Sequence, residues 1–441
     1  MTENNEQYYF DTEELEDIII YYLELGDISY AELAVNYGLQ LHPYSNEIKI
    51  KQLEVFIEQE NYLRAKSLIA ELQPSSMEVT DFLVCTAKYY SNLGNPRKAI
   101  EFCEKALALE EEENFLHNFI ADEWVNLGEP FSALKHYQLA LQHDPQDEYA
   151  LENCIQCFSD LQKNDELVEF LNRYLDDFPF SEVAWSELGQ FYMTRKNYAE
   201  AIKAFDYLLA VNSNAVAVYA LKASCLESQK KWAEAIDVYN EVLPLEHTKS
   251  YTYFKIGVCY NEMKQLIPAL TSFQKSLIED PQFYQSMMEQ SFIYEQMGSL
   301  KESLHFAKEA AMLNPDDMEY QKRLAYLYIS TGKFEESATC LQKVVKKQPE
   351  RLYHWYAFSE VLMLIGEYED AAALLQEGIK HHNRAELFYQ LSNCCFHLKR
   401  QTEGLEALEK ALELDFSLLE DMQQKYPYLS NEVQKVKAKK K

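Results

Sequence analysis

The chain has 441 residues, more than one hydrophobic core ordinarily serves, so it is either several domains or an array of repeats. Only 11 Gly and 12 Pro punctuate a length rich in strong helix formers, which predicts helices joined by very short turns. Its 72 acidic against 41 basic residues, a formal charge of −31, argue against a nucleic-acid or anionic-membrane binder, since both need phosphate neutralised by Lys and Arg.

From the N-terminus, residues 1–11 form an acidic lead without the basic start of a secretory signal. The apolar run Ile18-Ile19-Ile20-Tyr21-Tyr22-Leu23 falls far short of the ~18 residues that a membrane span needs. The first 60 residues carry 14 acidic side chains against Lys49 and Lys51, which predicts an acidic surface there. Nine Cys, odd in number and scattered through helical segments, read as small core residues rather than a disulfide framework, and the expected setting is a reducing cytoplasm.

The clearest unit is Trp185-x-x-Leu188-Gly189-x-x-Tyr192, followed by Ala201 and Phe205. Stepping from Glu182 by 34 residues gives unit starts at Thr12, Asn46, Thr80, Asn114, Glu148, Glu182, Val216, Ser250, Tyr284, Met318 and Leu352, with a twelfth at Ala385. Position 20 of these units is small in eleven of twelve, Leu167 excepted, and position 11 is aromatic in nine, which pairs small holes with large plugs. Six glycines (Gly26, Gly94, Gly128, Gly298, Gly332, Gly366) fall at position 15, where a first helix ends in a left-handed residue. Pro43, Pro145, Pro179, Pro281, Pro315 and Pro349 fall at position 32, past the second helix, and Pro96 and Pro130 open second helices. After residue 418 the array ends: Ser417-Leu418-Leu419-Glu420 reads as a capping box for a capping helix over 417–427. A tail, 428–441, follows with Lys435, Lys437, Lys439, Lys440 and Lys441.

This pattern resembles the tetratricopeptide-repeat (TPR) signature over residues 12–418 without an insertion. The resemblance implies an all-α, right-handed α-solenoid of about twelve helix-turn-helix repeats, with first helices lining the inside and positions 2, 5, 6, 9, 12 and 13 facing a ligand. At those positions the N-terminal repeats are acidic: Glu13, Glu16, Asp17, Glu24, Glu47, Glu54, Glu58, Asp81 and Asp122. From repeat eight they turn aromatic and apolar, with Tyr251, Phe254, Met288, Phe292, Tyr326, Tyr353, Tyr356 and Tyr389, interrupted by Lys322 and Arg323, which offer to pair with a carboxylate. That stretch is the expected partner-binding groove. The family's carboxylate clamp for chaperone tails is not assembled, because Lys322 is the one Lys at position 5 and its position-9 companion is Tyr326.

Motifs for chemistry are thin. Cys154-x-x-Cys157 lies inside a predicted helix with no second pair, His381-His382 sits at an inter-repeat turn, and no HExxH or Gly-rich phosphate loop occurs. No catalytic residue, metal or cofactor is therefore expected. The expected role is a non-catalytic cytoplasmic scaffold or adaptor for a protein or peptide partner, with no nucleic acid and no membrane. A self-assembling structural protein and a regulatory subunit of an enzyme complex are the alternatives.

Overall fold

Helix starts follow the spacing of the sequence. The computed structural model describes residues 9–109, 114–427, 429–430 and 432–433, and its regular elements there are all α-helices. The first helix of each pair begins at Thr12, Asn46, Thr80, Asn114, Glu148, Glu182, Val216, Ser250, Tyr284, Met318, Leu352 or Ala385. The chain divides into two compact units, 1–213 with repeats one to six and 214–441 with repeats seven to twelve.

Side-chain caps open some of the helices. The first helix (Thr12–Glu24) opens on a full capping box: Asp11 Oδ1 accepts from the Glu14 backbone N–H, and Glu14 Oε2 from that of Asp11. The second helices of repeats one to three start behind a short polar side chain that caps them, as where Asp27 accepts from the Tyr30 N–H at 3.3 Å. Between the two helices, position 15 is left-handed in all twelve repeats. Six of these residues are the glycines; the others are Glu60, Gln162, Lys196, Lys230, Lys264 and Lys399, at φ between 55° and 62°.

The core of each hairpin forms where small residues let the helices approach. Ala31, Ala65, Ala99, Ala133, Ala201, Ala235, Ala269, Ser303, Ser337 and Ala371, all at position 20, have no exposure. At position 8, Gly257 lies so close to the Phe273 ring that a Cβ there would come within 2.6 Å of it. Position 11 closes the hairpin with ring stacking, as between Tyr294 and Phe306 (5.5 Å, 1°) and between Tyr90 and Phe102 (5.5 Å, 15°).

Consecutive repeats are tied through the position-32 prolines, which end second helices and leave their carbonyls free to accept. Trp185 Nε1 donates to Pro179 O and Trp355 Nε1 to Pro349 O, each at 2.8 Å. Pro349 O also lies 2.9 Å from His382 Nε2, and His381 stacks on Trp355, so the His381-His382 pair is part of this joint. All nine cysteines are buried, Cys154 and Cys157 included, and burial pushes the Cys157 thiol up to about 11.

At the C-terminus the structure departs from one expectation. The last helix runs Leu419–Lys425, and Ser417 does not cap it: its hydroxyl donates to Asp415 at 2.6 Å, and Leu418 occupies the N-cap. The helix begins where a first helix of a thirteenth repeat would begin. With Tyr426, Leu429 and Val433 it covers Tyr389, Phe396 and Leu408 of repeat twelve. The acidic lead before Tyr9 and the lysines from Lys435 onward lie outside the described residues.

Candidate functional site

The first helices of repeats eight to eleven (Ser250–Glu262, Tyr284–Gln296, Met318–Ser330 and Leu352–Leu364) bring most of the predicted groove residues to one cavity of about 600 Å³. Phe254, Met288, Phe292, Lys322, Arg323, Tyr326 and Tyr353 line it. Because positions 5, 6 and 9 recur on one side of each helix, residues 34 apart stack from repeat to repeat. Tyr326 and Tyr353 stand out as an exposed rim, 52% and 72% accessible, and Phe292 is partly open at 37%. Met288 is buried and forms the floor, and Phe254 packs at a tilt on Phe273 and Phe283.

Three predicted residues stand apart from that cavity. Tyr251 is exposed beside Phe254 but does not line it. Tyr389 is fully buried and donates to Asp415 O at 3.1 Å, so it is a core residue, because the terminal helix covers the face that an interior repeat would leave open. Tyr356 is engaged by the chain itself: Lys425 Nζ donates to its hydroxyl at 2.8 Å, lies 4.8 Å from the ring centroid, and pairs with Glu360. Tyr426 continues this contact, its hydroxyl receiving Gln390 Nε2 at 3.3 Å.

The two cations expected to meet a partner's carboxylate have carboxylates within the chain. Lys322 pairs with Glu319 one turn earlier on its own helix. Arg323, at position 6 of repeat ten, reaches back into repeat nine: Nη1 pairs with Glu295, and Nη2 donates to Ser291 O at 3.2 Å and Ser303 Oγ at 3.3 Å. Ser291 and Ser303 hold positions 8 and 20, the small-residue crossing, so Arg323 locks one repeat into the next. Its guanidinium lies 4.3 Å from the Phe292 ring and 5.9 Å from that of Tyr326, under the cavity.

Periodicity alone did not single out Glu289, Tyr320 or His354, which also line the cavity. Burial raises the Glu289 carboxyl pKa, and the neighbouring Glu262 raises it further. Its position, 6 of repeat nine, was the available signal, because position 6 is a ligand-facing place in the pattern. Burial likewise lowers the His354 pKa, and its Nδ1 lies 3.3 Å from Gln348 O.

In the other unit the acidic positions are partly neutralised from within. Lys51 pairs with Asp81 and Lys88 with Glu54, each at 2.9 Å, and Asp122 accepts from Tyr137 (2.6 Å) and Tyr149 (2.7 Å). A histidine pair there was not legible in the sequence: His117 and His136 meet Nδ1 to Nδ1 at 3.2 Å, and burial holds His136 down to about 4. Among the described residues no group of three or more His, Cys, Asp or Glu is placed to hold a metal ion, and no helix is long and apolar enough to cross a membrane.

Comparison with known proteins matches a tetratricopeptide-repeat profile to residues 186–246, 322–386 and 365–415, and a second such profile to 87–113. ER membrane protein complex subunit 2-A of Xenopus laevis is 32% identical over 80 residues, 18% of this chain and 27% of that protein. The Xenopus tropicalis subunit 2 matches to the same extent, so the chain spans about a quarter of the length of these relatives. Among solved structures, the Cut9–Hcn1 hetero-tetramer of the APC/C is 13% identical, with a TM-score of 0.35 over 87% of this chain and 90% of that one. A tetratricopeptide repeat protein from Parabacteroides merdae is 14% identical, with a TM-score of 0.36 over 55% and 97%. Neither likeness bears on binding.

Proposed function

We propose that this chain, which belongs to the tetratricopeptide-repeat family, is a non-catalytic scaffold that receives a segment of a partner protein on the first helices of repeats eight to eleven. The observation that carries this reading is the cavity of about 600 Å³, whose rim keeps Phe292, Tyr326 and Tyr353 open to solvent. Aromatic side chains standing over a part-apolar hollow are the anchors that dominate protein interfaces, and they add contact area at little cost in side-chain entropy. The cavity's two cations, Lys322 and Arg323, are held in ion pairs by Glu319 and Glu295, which favours a structural part for them over a catalytic one. The same reading sets the protein in a reducing cytoplasm, where buried thiols need no pairing.

Quantitative capture of partners by full-length wild type and by the double variant Phe292→Ala/Tyr353→Ala tests the reading. The variant is expected to retain its helical circular dichroism and to lose about tenfold or more in affinity for the captured partner. Undiminished capture by a folded double variant would remove the cavity from the interface.

A further inference from the structure

Positions 6 and 12 of adjacent first helices form a rung between repeats in this unit. Lys255, at position 6 of repeat eight, pairs with Glu227, at position 12 of repeat seven, at 2.7 Å. Arg323, at position 6 of repeat ten, pairs with Glu295, at position 12 of repeat nine. In both rungs a cation from one repeat meets a carboxylate from the one before.

The rung between them is built differently. Position 6 of repeat nine is Glu289 and position 12 of repeat eight is Asn261, so a carboxylate stands where the flanking rungs have a cation, and a neutral amide where they have a carboxylate. Asn261 Oδ1 is buried and has no hydrogen-bond partner. Among the described residues none donates to Glu289, and Glu262 adds a further negative charge beside it. Across the cavity stand Glu319, Lys322, Arg323 and His354; the two cations are committed to Glu319 and Glu295. A desolvated carboxylate without a counter-charge is costly, and its raised pKa has burial as its first cause. The cavity that holds Glu289 is also lined by Phe254 and Tyr320, and aromatic ring faces attract cations. The chain shows the same chemistry filled by its own residue two repeats on, where Lys425 lies over Tyr356 and pairs with Glu360.

We infer that Glu289 and its aromatic walls are a subsite for a basic side chain, lysine or arginine, of the partner segment, which supplies the cation missing from this rung. The inference rests on the docking proposed above and adds what is recognised there. A basic residue in the partner restores to Glu289 the counter-charge that Glu227 and Glu295 already have, and its stem packs against the rings.

The test uses full-length protein and fluorescein-labelled pools of short random peptides whose central residue is fixed as Lys, Arg, norleucine or Glu, read by fluorescence anisotropy. Wild type is expected to bind the Lys and Arg pools about tenfold more tightly than the norleucine pool and the Glu pool most weakly. Glu289→Gln is expected to bind all pools alike. Glu289→Lys, which installs the rung's missing cation, is expected to reject the Lys and Arg pools while melting at or above the wild-type temperature. Equal binding of the Lys and norleucine pools by wild type, or a Lys preference that survives in folded Glu289→Gln, overturns the subsite and leaves the docking face standing. Binding of no pool by wild type overturns both.

Discussion

Lys264 shows how the repeat frame overrules residue preference. It holds φ 62° at position 15 of repeat eight, a conformation that costs an L-residue about 1–2 kcal/mol and that Gly298 adopts one repeat later without a Cβ to clash. Lys264→Gly is therefore expected to raise stability by up to about 1 kcal/mol, part of the steric gain being offset by the greater freedom of glycine in the unfolded chain. Urea unfolding measures it, and an unchanged or lower midpoint would show that the side chain's stem compensates for the strain. Six of the twelve turn residues were legible because glycine marks them. The other six were not, because Glu, Gln and Lys carry no turn signal, and only the helices on either side force them left-handed.

Within single helices, the boundary between core and groove depends on what lies opposite. Arg323 occupies a ligand-facing position of Met318–Ser330, yet its side chain is only 9% exposed and bridges Glu295, Ser291 and Ser303. Arg323→Ala leaves Glu295 without its cation and is expected to cost about 2 kcal/mol or more, whereas Lys322→Ala, which removes an i,i+3 pair with an exposed Glu319, is expected to cost about 0.5 kcal/mol or less. Equal losses in denaturant unfolding would contradict the rung. Tyr389 illustrates the same point at the end of the array. Its sequence position matches that of Tyr356, but Leu419–Lys425 and the residues after it bury it, and a repeat period cannot say how the terminal face is closed. Seven of the ten predicted groove residues do share one cavity, because the 34-residue spacing fixes which side of each first helix they stand on. Glu289 was not legible because carboxylates are common in so acidic a chain, and whether one lacks a counter-charge depends on what the adjacent repeats place beside it.

At the scale of the molecule, two units divide at residue 213, between repeats six and seven, and they differ in what their first helices present. In the N-terminal unit Lys51 and Lys88 pair with Asp81 and Glu54, and Tyr137 and Tyr149 donate to Asp122. The C-terminal unit leaves aromatic side chains and the unpaired Glu289 around a cavity. The repeat architecture was readable in advance because scarce glycines and prolines obey one period, and so was the change from acidic to aromatic first helices; which of the charges find partners within the chain was not. Site-specific photo-crosslinking tests the central claim most directly, with a benzophenone amino acid placed in separate full-length variants at Tyr353, on the cavity rim, and at Tyr44, which is 92% exposed in the other unit. The partner is expected to be trapped from position 353 and not from position 44. Trapping from 44 with none from 353 would contradict it.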